Sequence, residues 1–584
     1  MNSKILAVLV AAIIVVAGVG AYIVLQDRGS GSGGYDLPSA SEVSEAYASD
    51  IDSLSATLAD SSLTVEEMAD AIITVYNELL YIIDWASYAT VEYYQDPTGE
   101  AEEYAIWNTL GSTAARQFYT TVEDGLDGAC GEKVTEAVYL LEATPDMFRG
   151  YSDVTAEETA LLTEESTLEN TFYQLDFSGV EVTYGGRTWT AESAATAYSN
   201  GQISYYTYSV IYYMVYSQFL NERVELYIDL VEVRNDLAVL YGYDDYMEYS
   251  YEKLYGRDYS PDDISSLLDI VTKLNEVSDT AESLAKESSL SEDNLDWMEG
   301  LTYDQKLEYL KAFVSDLDSY VPESSGMSFS ELVDAMDSAG HFVIEDVNDD
   351  QVSAGVTFHL YTENTALMYI SGYTGWDAYS SLVHEFGHAS HMSLNETMTS
   401  CYDIDEIHSQ GLEMLLYADA STYIGSSGDA LTVNGIADTV SNTASLAMTA
   451  VFENMVYKME ASGTELTVEL LNETYVNDVM AAAGVTQTSI FEGLEWCLWN
   501  NIYTGPGYIV SYVTSGLNAL EIFTIACEDV DAARTAYTTL VFQTGYDGYV
   551  AAVEAAGLSN MLTSSNAISV LNKVLEILDG YSSS

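Results

Sequence analysis

The sequence is poor in positive charge. Lys and Arg together number 17 against 93 Asp and Glu, a formal net charge of −76 at pH 7. Such a surface repels phosphate backbones, so nucleic acid is not expected as a partner. It suits high salt or an extracellular setting. It also suits an acidic funnel for basic peptides, which composition cannot locate. Proline is scarce, at 6, which leaves room for long helices. The four cysteines (Cys130, Cys401, Cys497, Cys527) are widely spaced and match no disulfide scaffold or thiolate metal pattern, so isolated buried thiols are expected. No repeat of about 20–50 residues stands out. Histidine is as rare as proline, and all six residues fall between His341 and His408.

Tyrosine, by contrast, is abundant at 48, so a single Tyr is a weak functional signal. The hydrophobic fraction of 48% is ample for a folded globule, and 584 residues imply two or three domains or one large helical body. Ile5–Leu25 is an uncharged apolar run long enough to span a bilayer, with Lys4 before it and a Gly/Ser run after Arg28. Its length favours an uncleaved anchor, and Lys4 favours an inside N-terminus. Val19-Gly-Ala21 also fits a small-residue cleavage site, so secretion after signal removal is the rival. Either way the body is expected outside the cell, with the membrane as a partner of an uncleaved segment.

Helical patterns dominate. Thr64-Val-Glu-Glu67 is a capping box, and Met68, Ile72, Val75, Leu79 and Ile82 then form one apolar stripe. Thr155-Ala-Glu-Glu158, Ser260-Pro-Asp-Asp263 and Thr302-Tyr-Asp-Gln305 open further helices, and 202–240 reads as one long helix. Residues 180–190 read as a hairpin about Gly185-Gly186. The expected division is 1–34 anchor or signal with linker, 35–195 helical domain, and 196–584 catalytic domain. Residues 356–361 and 366–371 are strand-like, and the pattern is helical from about Asp377 onwards. The fold class expected is mainly α, with a small sheet beside the helix that carries the histidines. Such a sheet can offer an edge to an extended peptide or serve only as scaffold.

That helix contains His384-Glu385-Phe-Gly-His388. Residues four apart lie on one helix face, so both imidazoles can reach one metal ion. Glu385 can then lie beside the open metal position as general base. Zn²⁺, one ion, suits these ligands, and a catalytic site keeps one position for water. A third ligand is needed. Metzincins place Gly and His where this chain has His391 and Leu394, which excludes that class. Gluzincins take a Glu from a following helix. Glu396 is too close to fold back easily, whereas Glu406 and Glu413 can share one face of a helix. One would bind the metal and the other would orient a His ligand.

The run from His384 to His391, followed by Asp405-Glu-Ile-His-Ser-Gln-Gly-Leu-Glu413, resembles the thimet oligopeptidase and oligoendopeptidase family, the oligoendopeptidase branch in particular. The resemblance implies His384, His388 and Glu406 as zinc ligands, with Glu413 behind them. Arg234 to Tyr249 is similar to a helix at the start of that family's catalytic domain. Gly505-Pro-Gly-Tyr-Ile-Val-Ser-Tyr512 is similar to its segment of substrate-facing tyrosines. The likeness covers about residues 200 to 540. There are two departures. Asn501 stands where the family usually has a His, and Gly507 where it has a Phe. Asn donates a hydrogen bond but carries no charge.

The resemblance implies a helical body with a deep channel, the metal at its floor, and short unstructured peptides as substrates. Metal-activated water would attack the peptide bond, Glu385 would move the proton, and Tyr508 or Tyr512, with Asn501, would donate to the oxyanion. His391, His408 and His359 are expected near substrate or behind the ligands, and His341 near the sheet. One rival is an exported peptide-binding relative without catalysis, on the strength of Asn501 alone. The other is a structural metal site completed by Cys401.

Overall fold

The computed structural model describes residues 37–581, apart from 142, 151–154, 176, 346, 349–350, 396–400, 487–491 and 544–547. The apolar run at 5–25, its cleavage-site alternative and Glu396 lie outside the described residues.

Four helices come first: α1 (Ala40–Ala59), α2 (Val65–Gln95), α3 (Ala101–Asp127) and α4 (Gly131–Leu140). The Thr64 box is formed, with Thr64 Oγ1 accepting from the Glu67 amide and Glu67 accepting from the Thr64 amide. The stripe from Met68 to Ile82 is buried in a core shared by all four helices. Then come α5 (Ala156–Tyr173), the hairpin β1 (Val182–Tyr184) and β2 (Arg187–Trp189), α6 (Ala191–Ser199) and α7 (Tyr205–Tyr241). Gly185 and Gly186 turn the hairpin at φ of 63° and 79°, which suits glycine.

Ser260 does not open a regular helix directly. Its amide and hydroxyl bond Asp263, a 3₁₀ turn follows over Asp263–Leu267, and α8 (Leu268–Ala285) begins only then. Next are α9 (Tyr303–Val314) and α10 (Phe329–Ala339).

A three-stranded sheet follows, with β3 (Phe342–Ile344), β4 (Ala354–Leu360) and β5 (Thr365–Ser371) in the order β3-β5-β4. β4 and β5, which pair antiparallel, are the two strands expected from sequence. The parallel strand β3 was not, because three residues are too few to show alternation. Strand β5 is buried on both faces. Leu367 and Tyr369 pack with the four N-terminal helices, whereas Ala366, Met368 and Ile370 pack with the large C-terminal core. Asp84 of α2 ties the two together by accepting from the Tyr361 and Thr362 amides, at 2.7 and 2.8 Å, and from the Thr362 hydroxyl.

The remainder is helical: α11 (Gly375–Leu394), α12 (Tyr402–Ala418), α13 (Gly428–Ala461), α14 (Ile509–Glu528), α15 (Val530–Phe542) and α16 (Ser564–Tyr581). The molecule is mainly α, with a small sheet beside α11. Among the described residues α14 alone is long and apolar enough to cross a membrane, and it is mostly buried as a core helix. The cysteines are all free. Three are buried as expected, but Cys527 is exposed.

Candidate metal centre

Helices α11 and α12 pack unusually closely. A Cβ on Gly387 would stand 2.2 Å from the His408 carbonyl oxygen, so only glycine permits this approach. The contact brings His384 and His388 of α11 against Glu406 of α12. Glu406 Oε2 lies 3.8 Å from the Nε2 atoms of both His384 and His388. All three donor atoms lie within 4.8 Å of one another, a compact His₂Glu set.

Glu413, seven residues further along α12, serves the other side of His384. Its Oε1 is 2.7 Å from His384 Nδ1, and its Oε2 accepts from Ser380 Oγ and Tyr417 Oη at 2.9 and 3.0 Å. In the neutral ring a carboxylate on Nδ1 holds the proton there and leaves Nε2 as the lone-pair nitrogen facing Glu406, which is how metal-binding histidines are commonly oriented. Glu406 thus lies on the Nε2 side of His384 and Glu413 on its Nδ1 side, the arrangement the resemblance implies. Burial lowers the His384 pKa, but the hydrogen bond and charge of Glu413, with Glu385 and Glu406, outweigh it and bring it to about 9. His388 falls to about 4, chiefly through burial. Burial also raises Glu406, against His384 and the hydroxyls of Tyr508 and Ser409. Two imidazoles and a buried carboxylate in an anionic pocket are the donor chemistry of zinc.

Glu385 is oriented by the sheet. Thr357 Oγ1 of β4 donates to its Oε2 at 2.7 Å, and a Cβ on Gly355 would lie only 3.0 Å from its Oε1. Across the cavity stands the Tyr508 segment. Tyr508 Oη donates to Glu406 Oε1 at 2.6 Å, and the Tyr508 and Tyr512 rings meet edge to face at 5.1 Å. Burial and the Glu406 carboxylate hold both tyrosine pKa values well above 10. Asn501 and Tyr508 both lie beside the Tyr512 hydroxyl.

This wall is built from distant residues. The buried Arg257 guanidinium donates to Asp403, to Gly507 O at 2.9 Å and to Ser511 Oγ at 2.8 Å. Tyr255 Oη donates to Pro506 O, and Glu453 accepts from the Gly507 amide. Gly507 has φ of 81°, a conformation that favours glycine over a larger residue. Arg234 donates to Ile502 O and Tyr503 O and so holds the short helix that carries Asn501.

These groups line a cavity of about 810 Å³, together with Trp376, Asp377, Asp438 and Trp499. Among its described lining residues there is no Lys or Arg. The other candidates do not reach it. His391 and His408 are buried against α15, with pKa values lowered by burial, His391 to about 4. His359 packs on Tyr361 at 4.2 Å, and His341 Nε2 lies 3.3 Å from Tyr88 Oη. Cys401 belongs to neither group of metal-type donors among the described residues. Thr357, Ser380, Tyr417 and Arg257 were not found from sequence. Single Ser, Thr or Tyr residues carry no local signal, and the partners of Arg257 lie 146 or more residues away in the chain.

No family model matches the chain, and no curated protein matches it. Solved structures do. It is similar to Pz peptidase A with an inhibitor, at a TM-score of 0.68 and 14% identity over 94% of this chain and 99% of that one. It is similar to an oligoendopeptidase F from Enterococcus faecium, at 0.56 and 15% over 93% and 98%. A structure assigned to oligoendopeptidase F from Bacillus anthracis str. Ames gives 0.62 and 16% over 94% and 98%. Over nearly its whole length, the chain has the fold of the oligoendopeptidase F structures.

Proposed function

We propose that this protein is a zinc-dependent oligoendopeptidase that hydrolyses short unstructured peptides. The observation that carries the reading is the convergence of His384, His388 and Glu406 in one cavity, with Glu385 held beside them by Thr357. The peptidases whose fold it shares support it. His384, His388 and Glu406 would hold the ion. Zn²⁺ bound there supplies Lewis acidity, lowering the pKa of water and polarising a carbonyl. Glu385 takes the proton from the attacking water. Thr357 occupies Oε2, so Oε1 is the oxygen free to receive it. The same carboxyl then passes the proton to the leaving amine.

Tyr508 commits its hydroxyl to Glu406, so its role is to steady that ligand. Tyr512, beside Asn501 and Tyr508, is the donor left for the developing oxyanion. β4 is an edge strand, and Gly355, Val356 and Thr357 line the cavity, which supports docking of an extended peptide along it. The apolar run at Ile5–Leu25 would keep this body at a membrane, facing outwards.

Metal analysis paired with an internally quenched peptide library, with and without chelator, tests the reading. Glu385→Gln should retain zinc and lose at least about 100-fold in turnover. A chain that binds no metal and cleaves no peptide, or a Glu385→Gln variant with full activity, would overturn it.

A further inference from the structure

A second set of metal-type donors lies one helical turn along α11 from the first. It consists of His391, Asp405 and His408, whose nearest donor atoms all fall within 4.8 Å of one another. His391 and His408 are 3% and 0% exposed, and their rings stack at 4.1 Å.

Backbone carbonyls decide both tautomers. His391 Nδ1 lies 3.0 Å from Val541 O. Asn395 Nδ2 is also near it, at 3.1 Å, but its two hydrogens go to Val541 O and His391 O. Nδ1 therefore carries the proton and donates to Val541 O. His408 Nε2 likewise faces Leu540 O at 3.3 Å. This leaves His391 Nε2 and His408 Nδ1 as bare lone pairs, and both atoms are buried without a hydrogen-bond partner. Asp405 Oδ1 approaches His408 Nδ1 at 3.8 Å, too far for a hydrogen bond and suited to a shared ion. An imidazole fixed by an N–H···O=C bond on one nitrogen, with the other nitrogen bare, is the arrangement of a metal ligand.

We propose that His391 Nε2, His408 Nδ1 and the Asp405 carboxylate bind a second divalent transition-metal ion of the zinc class. Two imidazoles exclude a site built for Ca²⁺ or Mg²⁺, which take oxygen ligands. The ion would cross-link α11 to α12 where Gly387 brings them together. It stands independently of the peptidase reading.

The test is metal content per chain, measured on the full chain after loading with Zn²⁺ or Co²⁺ and dialysis. Two equivalents are expected. His408→Ala should remove one and leave the other, and His388→Ala should do the reverse. With Co²⁺ the visible spectra of the two variants should differ. Asp405→Asn, a change of charge at a part-exposed side chain, serves if His408→Ala does not fold. It should weaken one of the two binding steps at least ten-fold. A wild-type chain with one equivalent, lost in His388→Ala and kept in His408→Ala, overturns the second site and leaves the peptidase reading intact. Two equivalents undiminished in His408→Ala, or a titration unchanged in Asp405→Asn, also overturn it. A chain without metal overturns both readings.

Discussion

Glu413 works through another residue. It touches His384 Nδ1, and it is itself held by Ser380 and Tyr417. Removing it frees the imidazole to rotate and to choose the wrong tautomer. Glu413→Ala should weaken zinc binding by about 10- to 100-fold, measured by competition with a coloured chelator. The spacing of Glu406 and Glu413, seven residues apart, places both on one face of α12. The geometry adds where each carboxylate sits: one meets the Nε2 side of His384 and the other its Nδ1 side.

At the scale of elements, the site depends on how close two helices can come. Gly387 faces the backbone of His408, not a flexible side chain. An added methyl group cannot be absorbed by a rotamer change, so Gly387→Ala must push α11 from α12. Overpacking of this kind costs about 1–3 kcal/mol or more. Denaturant unfolding should show that loss, and zinc affinity should fall with it, because Glu406 moves away from both histidines.

Helix α13 meets the Tyr508 segment through Glu453. Burial lifts this carboxyl from 4.5 to about 8, while the Gly507 amide, Arg234 and Arg257 pull against it. The folded state therefore binds a proton that the unfolded state has released between those two values. Stability falls as pH rises through that window, by at most about 1.4 kcal/mol per pH unit from this group. Glu453→Gln keeps an acceptor for the Gly507 amide and should flatten the slope between pH 4.5 and 8, as read from unfolding curves.

For the whole molecule, charge is the dominant property. A net −76 surrounds a cavity whose described lining includes Asp377, Asp405 and Asp438 but no Lys or Arg. Field lines from such a body draw cationic peptides towards the opening. At low ionic strength kcat/KM should favour an Arg-rich peptide over its Glu-rich counterpart. The ratio should fall several-fold between about 0.01 M and 1 M salt, as the Debye length shrinks from about 30 to 3 Å. A salt-independent ratio would rule out charge steering.

The sequence alone determined what depends on backbone periodicity. His384 and His388 share a helix face because they are four residues apart. The Thr64 and Thr302 helix starts and the Gly185-Gly186 turn are local for the same reason. Strand β3 escaped because three residues carry no period and, unlike β1 and β2, no Gly-Gly turn adjoins it. Tertiary structure decided everything that joins distant segments: Thr357 on Glu385, Arg257 on the Tyr508 wall, and the pairing of His391 with His408. Those contacts arise only when packing of apolar faces brings helices and sheet together, and no local pattern records which polar side chains will then meet.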